Sequence, residues 1–387
     1  MSLACPNACE PQAGQAVFHA LLRQMNAASL LPDLPSGARV LVLRLRSIGD
    51  IVLLTPTLHL LKEWRPDLRL LVVIEARFRE LLEGNPDVEE VLFPGDDKGG
   101  RGIRGRLHAL REIRRRNAAL CVNLHGGPTS RWLARASGAR WKVGFAHFRS
   151  PSLYDIHVPD ARTILGQTSV HTAEHQASAF FHLGLPRTQI PAARLFVNVA
   201  HQTWWEEKRA GLGLPPGQEY AVIHPTALYK TKEWAPEKFA QLGSYLGAQT
   251  GLAPIYSCGP GEQGVLDAVQ NACGTPIRRL EGANLGQFTA ALSKARLFVG
   301  NDSGPAHMAA ALARPAVVIF GSSSSAIWGP WPRVEANPSS RVVQNFYDCN
   351  PCPGDRCYRF DRPECILSVT FDQVREAVET VLRNSRL

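Results

Sequence analysis

At 387 residues the chain exceeds the size at which one hydrophobic core usually stops growing, so two domains are expected. Hydrophobic residues make up 45% and charged residues 20%, an ordinary globular composition. No apolar run reaches the roughly 18 residues of a membrane-spanning helix, and the N-terminus lacks a basic segment followed by an apolar one, so no signal peptide is expected. The resulting expectation is a cytoplasmic protein.

The net charge of +9 is unevenly spread. Residues 101–116, "RGIRGRLHALREIRRR", hold seven arginines against one glutamate. Such a block attracts phosphates on nucleic acid, anionic lipid or a phosphorylated substrate, or else is a solvated helix face. Nine cysteines in a reducing compartment argue against a disulfide framework. Cys349, Cys352, Cys357 and Cys365 cluster in "CNPCPGDRCYRFDRPEC". They could close a tetrahedral metal site, remain reduced thiols or staple a loop, and their spacing matches no standard zinc ribbon.

Residues 1–36 read as an extension with a short helix near 15–27. "RVLVLRL" (39–45) reads as a buried strand, "RSIGD" as a loop, and the stretch to Trp64 as a helix, with Thr55 and Pro56 suited to its first turn. "LRLLVVIEA" (68–76), "VEEVLFP" (88–94), "AALCVNLHG" (118–126) and "WKVGFA" (141–146) read as further strands between helices. From about 147 to 215 the pattern weakens into loops and a linker. It restarts with strands at "YAVIHP" (220–225), "LAPIYSCG" (252–259), "TPIRRLEG" (275–282), "ARLFVG" (295–300) and "PAVVIFG" (315–321). Helices lie between them, including "APEKFAQLGSYLGAQ" (235–249), and a last helix covers about 371–384. Apolar strands alternating with helices predict α/β architecture with two parallel sheets, each covered on both faces. The expected boundaries are an extension at 1–36, domains at 37–200 and 201–345, and a cysteine-rich tail with a helix at 346–387.

Two motif matches carry little. "GRGIRG" (100–105) follows no strand directly and has no acid about 20 residues later to bind a ribose, so a dinucleotide fingerprint is rejected. "HTAEH" (171–175) could place two histidines on one helix face for zinc, but no further ligand motif follows.

Three strand-to-helix junctions are more informative, because open parallel sheets bind ligands beyond the carboxyl ends of their strands. In "RLRSIGDIVLLTP" (44–56), Gly49 permits close approach and Asp50 faces the cleft, as a catalytic acid–base group or merely a helix cap. "HPTALYKTKEWAPEKF" (224–239) offers the Thr226 hydroxyl and the cations Lys230 and Lys232, suited to a phosphate. "VGNDSGPAH" (299–307) places Ser303 as N-cap and Pro305 at the helix start, so free N–H groups near Gly304 form an anion site. Asp302 would repel an anion and is better suited to sugar hydroxyls, with His307 one turn further in. A nucleotide-linked sugar satisfies both features.

At these residues, from Arg39 onward, the chain resembles the ADP-heptose–lipopolysaccharide heptosyltransferases of glycosyltransferase family 9. The resemblance rests on "RLRSIGDIVLLTP", "VNLHGGPTSRWLARASGARWKVGF", "KEWAPEKF", "GNDSGPAHMAAALARPAVVIFG", "WGPW" and the C-x-x-C tail, in the family's order. It implies a GT-B fold with two Rossmann-like domains, the first binding the acceptor and the second the nucleotide sugar. By position it implies Asp50 as general base with Ser47 and Gly49 lining the cleft. It further implies Lys232 and the start at Ser303–Gly304 as the diphosphate site, and Asp302 and His307 as donor-site residues. The implied reaction is inverting transfer without metal or cofactor, from a nucleotide-sugar donor to an anionic lipopolysaccharide core, with peripheral inner-membrane contact and no nucleic acid. The chain departs from the family at Gly286 and Gln287, where some members hold the ribose with a glutamate, and at Asn123, where an aspartate is common. Lys230 rivals Lys232 for the phosphate. Other readings are a different nucleotide sugar or a non-catalytic module binding anionic glycans. A nicotinamide-dependent oxidoreductase would lack its glycine fingerprint.

Overall fold

The computed structural model describes residues 27–95 and 103–385. The helix expected near 15–27 lies almost wholly outside these residues, as do Arg101 and the start of "GRGIRG". Among the described residues, no helix is long and apolar enough to cross a membrane.

The first sheet is built from β1 (Arg39–Leu43), β2 (Arg69–Val73), β3 (Glu90–Leu92), β4 (Leu120–Asn123), β5 (Trp141–Phe145) and β6 (Ile156–Val158). They lie side by side in the order β3-β2-β1-β4-β5-β6, all parallel. The second sheet is built from β7 (Tyr220–His224), β8 (Ala253–Ser257), β9 (Arg278–Leu280), β10 (Leu297–Asn301), β11 (Ala316–Phe320) and β12 (Ser340–Gln344). Its order is β12-β11-β10-β7-β8-β9, again all parallel. Every residue of β7, β10 and β11 is buried, which is why these strands read as continuous apolar runs.

Both strands that the sequence pattern misses lie at sheet edges. β6 sits inside "PSLYDIHVPD", where the expectation was loop, and β12 is the run "SRVVQ". An edge strand has a neighbour on one side only, and at β6 His157 is exposed while Val158 is buried. Such short mixed segments lack the apolar signal of a central strand. The expected linker region also contains the helices Thr172–His182 and Val199–Gly211.

Both sheets contribute to one continuous hydrophobic cluster, which includes Val40 and Val42 of β1 together with Val222 of β7 and Met308. Leu30, Leu31 and Leu34 are buried in that cluster, and Leu31 N–H donates to the Leu183 carbonyl at 3.0 Å. The end of the N-terminal extension therefore packs into the core. The last helix, Phe371–Asn384, starts at a Thr370–Gln373 capping box and buries Val374, Val378 and Val381 beside Val317 and Ile319 of β11.

Candidate active site

The carboxyl ends of β1 and β10 each lead into a short helix, and the two helices meet across the cleft. Ile48–Val52 follows β1 and Gly304–Ala311 follows β10. A Cβ placed on Gly49 would lie 2.7 Å from His307 Cδ2, and one on Gly304 would lie 2.6 Å from Ile48 Cβ. Each glycine thus admits a side chain from the opposite junction.

On the β1 side, Ser47 is the N-cap and Asp50 the third helical residue of a capping box. Asp50 Oδ2 accepts from Ser47 N–H at 3.1 Å and from Ser47 Oγ at 3.2 Å. Arg44 donates to Asp50 Oδ1 through one guanidinium nitrogen and to the Leu124 carbonyl through another. Gln176, on the helix Thr172–His182, donates to the Asp50 carbonyl at 3.0 Å. Asp50 therefore caps its helix, and its other carboxylate oxygen is held by Arg44, which lines a cavity.

On the β10 side, the acid and the cation seek each other. Lys232 Nζ donates to Asp302 Oδ2 at 2.7 Å, and Ser323 Oγ donates to the same oxygen. Asn301 ties the Lys232 loop in place: its Nδ2 donates to the Pro225 carbonyl at 2.8 Å and its Oδ1 accepts from Trp234 N–H at 3.1 Å. Lys230 instead points outward, 80% exposed, and pairs with Glu233 at 2.6 Å.

Ser303 occupies the N-cap but does not cap through its side chain; its Oγ donates to the Asn301 carbonyl at 3.2 Å. That differs from the capping expected of Ser303 and leaves the first turn without that acceptor. Pro305 is the second helical residue rather than the first. His307 is buried with Nδ1 unpartnered among the described residues, and burial pushes it below the usual imidazole range. The ring is therefore neutral at pH 7.

Thr226 stands apart from this group. It is fully buried, and its hydroxyl lies 2.9 Å from His224 Nε2, so it braces the loop rather than presenting a hydroxyl to the cleft. Gln287 is likewise committed, to a reciprocal capping box with Asn284. Asn123 is buried and donates to Tyr154 Oη at 2.7 Å while its Oδ1 accepts from His125 N–H at 3.0 Å, which shapes the turn after β4.

A cavity of about 460 Å³ opens beside Arg44, between the two halves of the molecule. His125, Phe148, Arg162, His175 and Trp328 help to line it. His175 stacks on Phe145 at 4.2 Å between ring centroids, and burial pushes its imidazole down to about 4. A second cavity of about 450 Å³ adjoins the Lys232 loop and is lined by Glu233, Trp234 and Glu262.

In "HTAEH", His171 serves as a helix cap: Nδ1 accepts from Ala173 N–H at 3.1 Å, while Nε2 lies 2.9 Å from the Gly329 carbonyl. Glu174 pairs with Arg333 at 2.6 Å. Cys349, Cys352, Cys357 and Cys365 line one small cavity of about 30 Å³ as free thiols. Among the described residues, no three or more His, Cys, Asp or Glu are grouped so as to hold a metal ion.

Two six-stranded parallel-sheet lobes, with the Asp50 junction of one against the Asp302 junction of the other, have the architecture of a GT-B glycosyltransferase. The chain belongs to glycosyltransferase family 9 (heptosyltransferase), whose sequence profile matches residues 106–358. It is 28% identical over 300 residues to lipopolysaccharide heptosyltransferase 3 of Escherichia coli (strain K12), covering 74% of this chain and 83% of that protein. Its fold is similar to the solved glycosyltransferase family 9 protein of Veillonella parvula DSM 2008, with a TM-score of 0.78, 23% identity and coverage of 91% and 99%. It is also similar to E. coli ADP-heptose lps heptosyltransferase II, with a TM-score of 0.72, 18% identity and coverage of 90% and 100%.

Sequence reasoning missed Arg44, Gln176, Asn301 and Ser323. Arg44 stands six residues before Asp50 in the same motif, so a search for a cation near that acid would have found it. Gln176 and Ser323 carry no local signal.

Proposed function

We propose that the protein transfers a heptose from ADP-heptose to lipopolysaccharide core, inverting the anomeric carbon and using no metal ion. The observation that carries this reading is the apposition of the Asp50 junction and the Lys232–Asp302 junction across one glycine-packed contact. Asp50 takes the proton of the acceptor hydroxyl while that oxygen bonds to the anomeric carbon from the face opposite the diphosphate. The carbon–oxygen bond to the diphosphate breaks, and ADP departs with the electron pair. Lys232 and the N–H groups at Ser303 and Gly304 stabilise the departing charge, held in place before reaction begins. Asp302 orients Lys232, and its second oxygen, with the neutral His307, is available to sugar hydroxyls.

The acceptor enters from the Arg44 cavity. Arg111, Arg114 and Arg135 are exposed and present a basic surface suited to an anionic core or to lipid head groups. Domain limits at 37–200 and 201–345 accompany this reading, one half serving the acceptor and the other the donor.

The test is protein treated with a chelator and incubated with a panel of ADP- and UDP-sugars. ADP-heptose and ADP should raise the melting temperature, and the product formed with a core acceptor should have the opposite anomeric configuration to the donor. Preference for UDP-sugars, retention of configuration or dependence on added metal would overturn the corresponding part. Gln287 being spent on a helix cap favours testing other nucleotides first.

A further inference from the structure

Asp50 is surrounded more completely than an available base needs to be. An ionised carboxylate has about four acceptor positions. Ser47 fills Oδ2 with two donors, and the Arg44 guanidinium takes one of the two positions on Oδ1, so the oxygen that must receive a proton already holds a cationic donor. Arg44 and Asp50 side chains are only 13% and 14% exposed, which limits competition from water.

Arg44 also has unused capacity. Its Nε is buried with no hydrogen-bond partner among the described residues. Its side chain lines the 460 Å³ cavity that opens between the halves of the molecule. The other cation on that wall, Arg162, is bound to Asp160 through two contacts at 3.0 Å. A planar guanidinium forms its best pairs with phosphate or carboxylate, through two parallel N–H bonds.

We propose that Arg44 is a positioning residue that shields Asp50 until an anionic group of the acceptor, seated in this cavity, draws the guanidinium away. The inference rests on the transferase reading above and adds to it a reason why donor is not wasted. With Arg44 on Oδ1, a water beside the bound donor meets a carboxylate already engaged by the guanidinium. With Arg44 removed, that water can react: its oxygen bonds to the anomeric carbon, its proton passes to Asp50 Oδ1, and ADP leaves with the electrons of the broken carbon–oxygen bond. A phosphate or carboxylate on the acceptor triggers the same release of Asp50, and the acceptor hydroxyl then stands where water would otherwise react.

The experiment measures ADP release from ADP-heptose without acceptor, and transfer to acceptors with and without their anionic groups. Wild type, Arg44→Gln and Arg44→Lys are compared. Arg44→Gln should raise acceptor-free ADP release about tenfold, the size of one charge-assisted hydrogen bond. It should lower kcat/KM for the anionic acceptor and raise transfer to the neutral acceptor, whose hydroxyl then meets an uncovered Asp50. Arg44→Lys, which keeps a cation beside Oδ1, should restore low ADP release. Unchanged or reduced ADP release in Arg44→Gln, with ADP binding intact, would overturn the proposal while leaving the transferase reading in place. A wild type that neither transfers nor hydrolyses ADP-heptose would instead overturn the transferase reading itself. Should Arg44→Gln fail to fold, wild type is given an anionic acceptor lacking its reactive hydroxyl: ADP release should rise, and no rise would refute the shield.

Discussion

The two junctions that face each other are written in nearly the same grammar. Each follows a central strand, each enters a short helix, and each carries an acid and a glycine. Their partners differ. Asp50 is held by its own helix cap and by Arg44, which lines a cavity, whereas Asp302 is 6% exposed and held by Lys232 and Ser323. The same residue type thus serves two purposes. On the proposed mechanism, one acid exchanges its partner for a substrate proton, and the other fixes a lysine where the diphosphate would leave.

That contrast breaks most visibly at Asp50. Asp50→Asn keeps the cap geometry but removes the base, so kcat should fall by about 10²–10⁴ while ADP affinity is retained. Equal loss of ADP binding in a calorimetric titration would mean that Asp50 belongs to the donor site instead. The second test compares two lysines two residues apart. Lys232→Ala leaves the Asp302 carboxylate nearly buried without its cation and should cost about 2 kcal/mol of stability and roughly tenfold or more in ADP affinity. Lys230→Ala removes a pair whose lysine is 80% exposed, so melting temperature and affinity should change far less than for Lys232→Ala. Similar losses from both would erase the distinction between them. A further test, on stability alone, concerns the contact between the junctions. Gly304→Ala would drive a methyl group against Ile48, costing about 1–3 kcal/mol in thermal or denaturant unfolding. A neutral outcome would show that the two helices can part without cost.

The central strands were legible because burial on both faces demands continuous apolar runs, as at "RVLVL" and "AVVIF". β6 and β12 were not, because these two strands mix buried positions with partly or fully exposed ones. In the site, Asp50, Lys232, Asp302 and His307 could be marked from motifs, yet their partners could not. Asp302 read as a sugar ligand near an anion site, and the structure adds a partner for its Oδ2, Lys232, 70 residues distant in the chain. Thr226 read as a donor-side hydroxyl, and the structure turns it inward to His224. Which of Lys230 and Lys232 meets the acid depends on which way one short 3-10 turn faces, and Asn301 decides it by anchoring Pro225 and Trp234.

The sequence by itself determined the α/β class, the central strands and the three junctions where chemistry can sit, because periodicity and helix-start residues are local properties of the chain. Only the tertiary structure decided that Gly49 meets His307, that Gly304 meets Ile48, and that Arg44 covers Asp50 beside an open cavity. The contact between the junctions joins residues more than 250 positions apart, and the placement of Arg44 depends on how β1, β4 and the helices around them pack. Such pairings are set by packing and by where buried charges find partners, and a local pattern does not contain them.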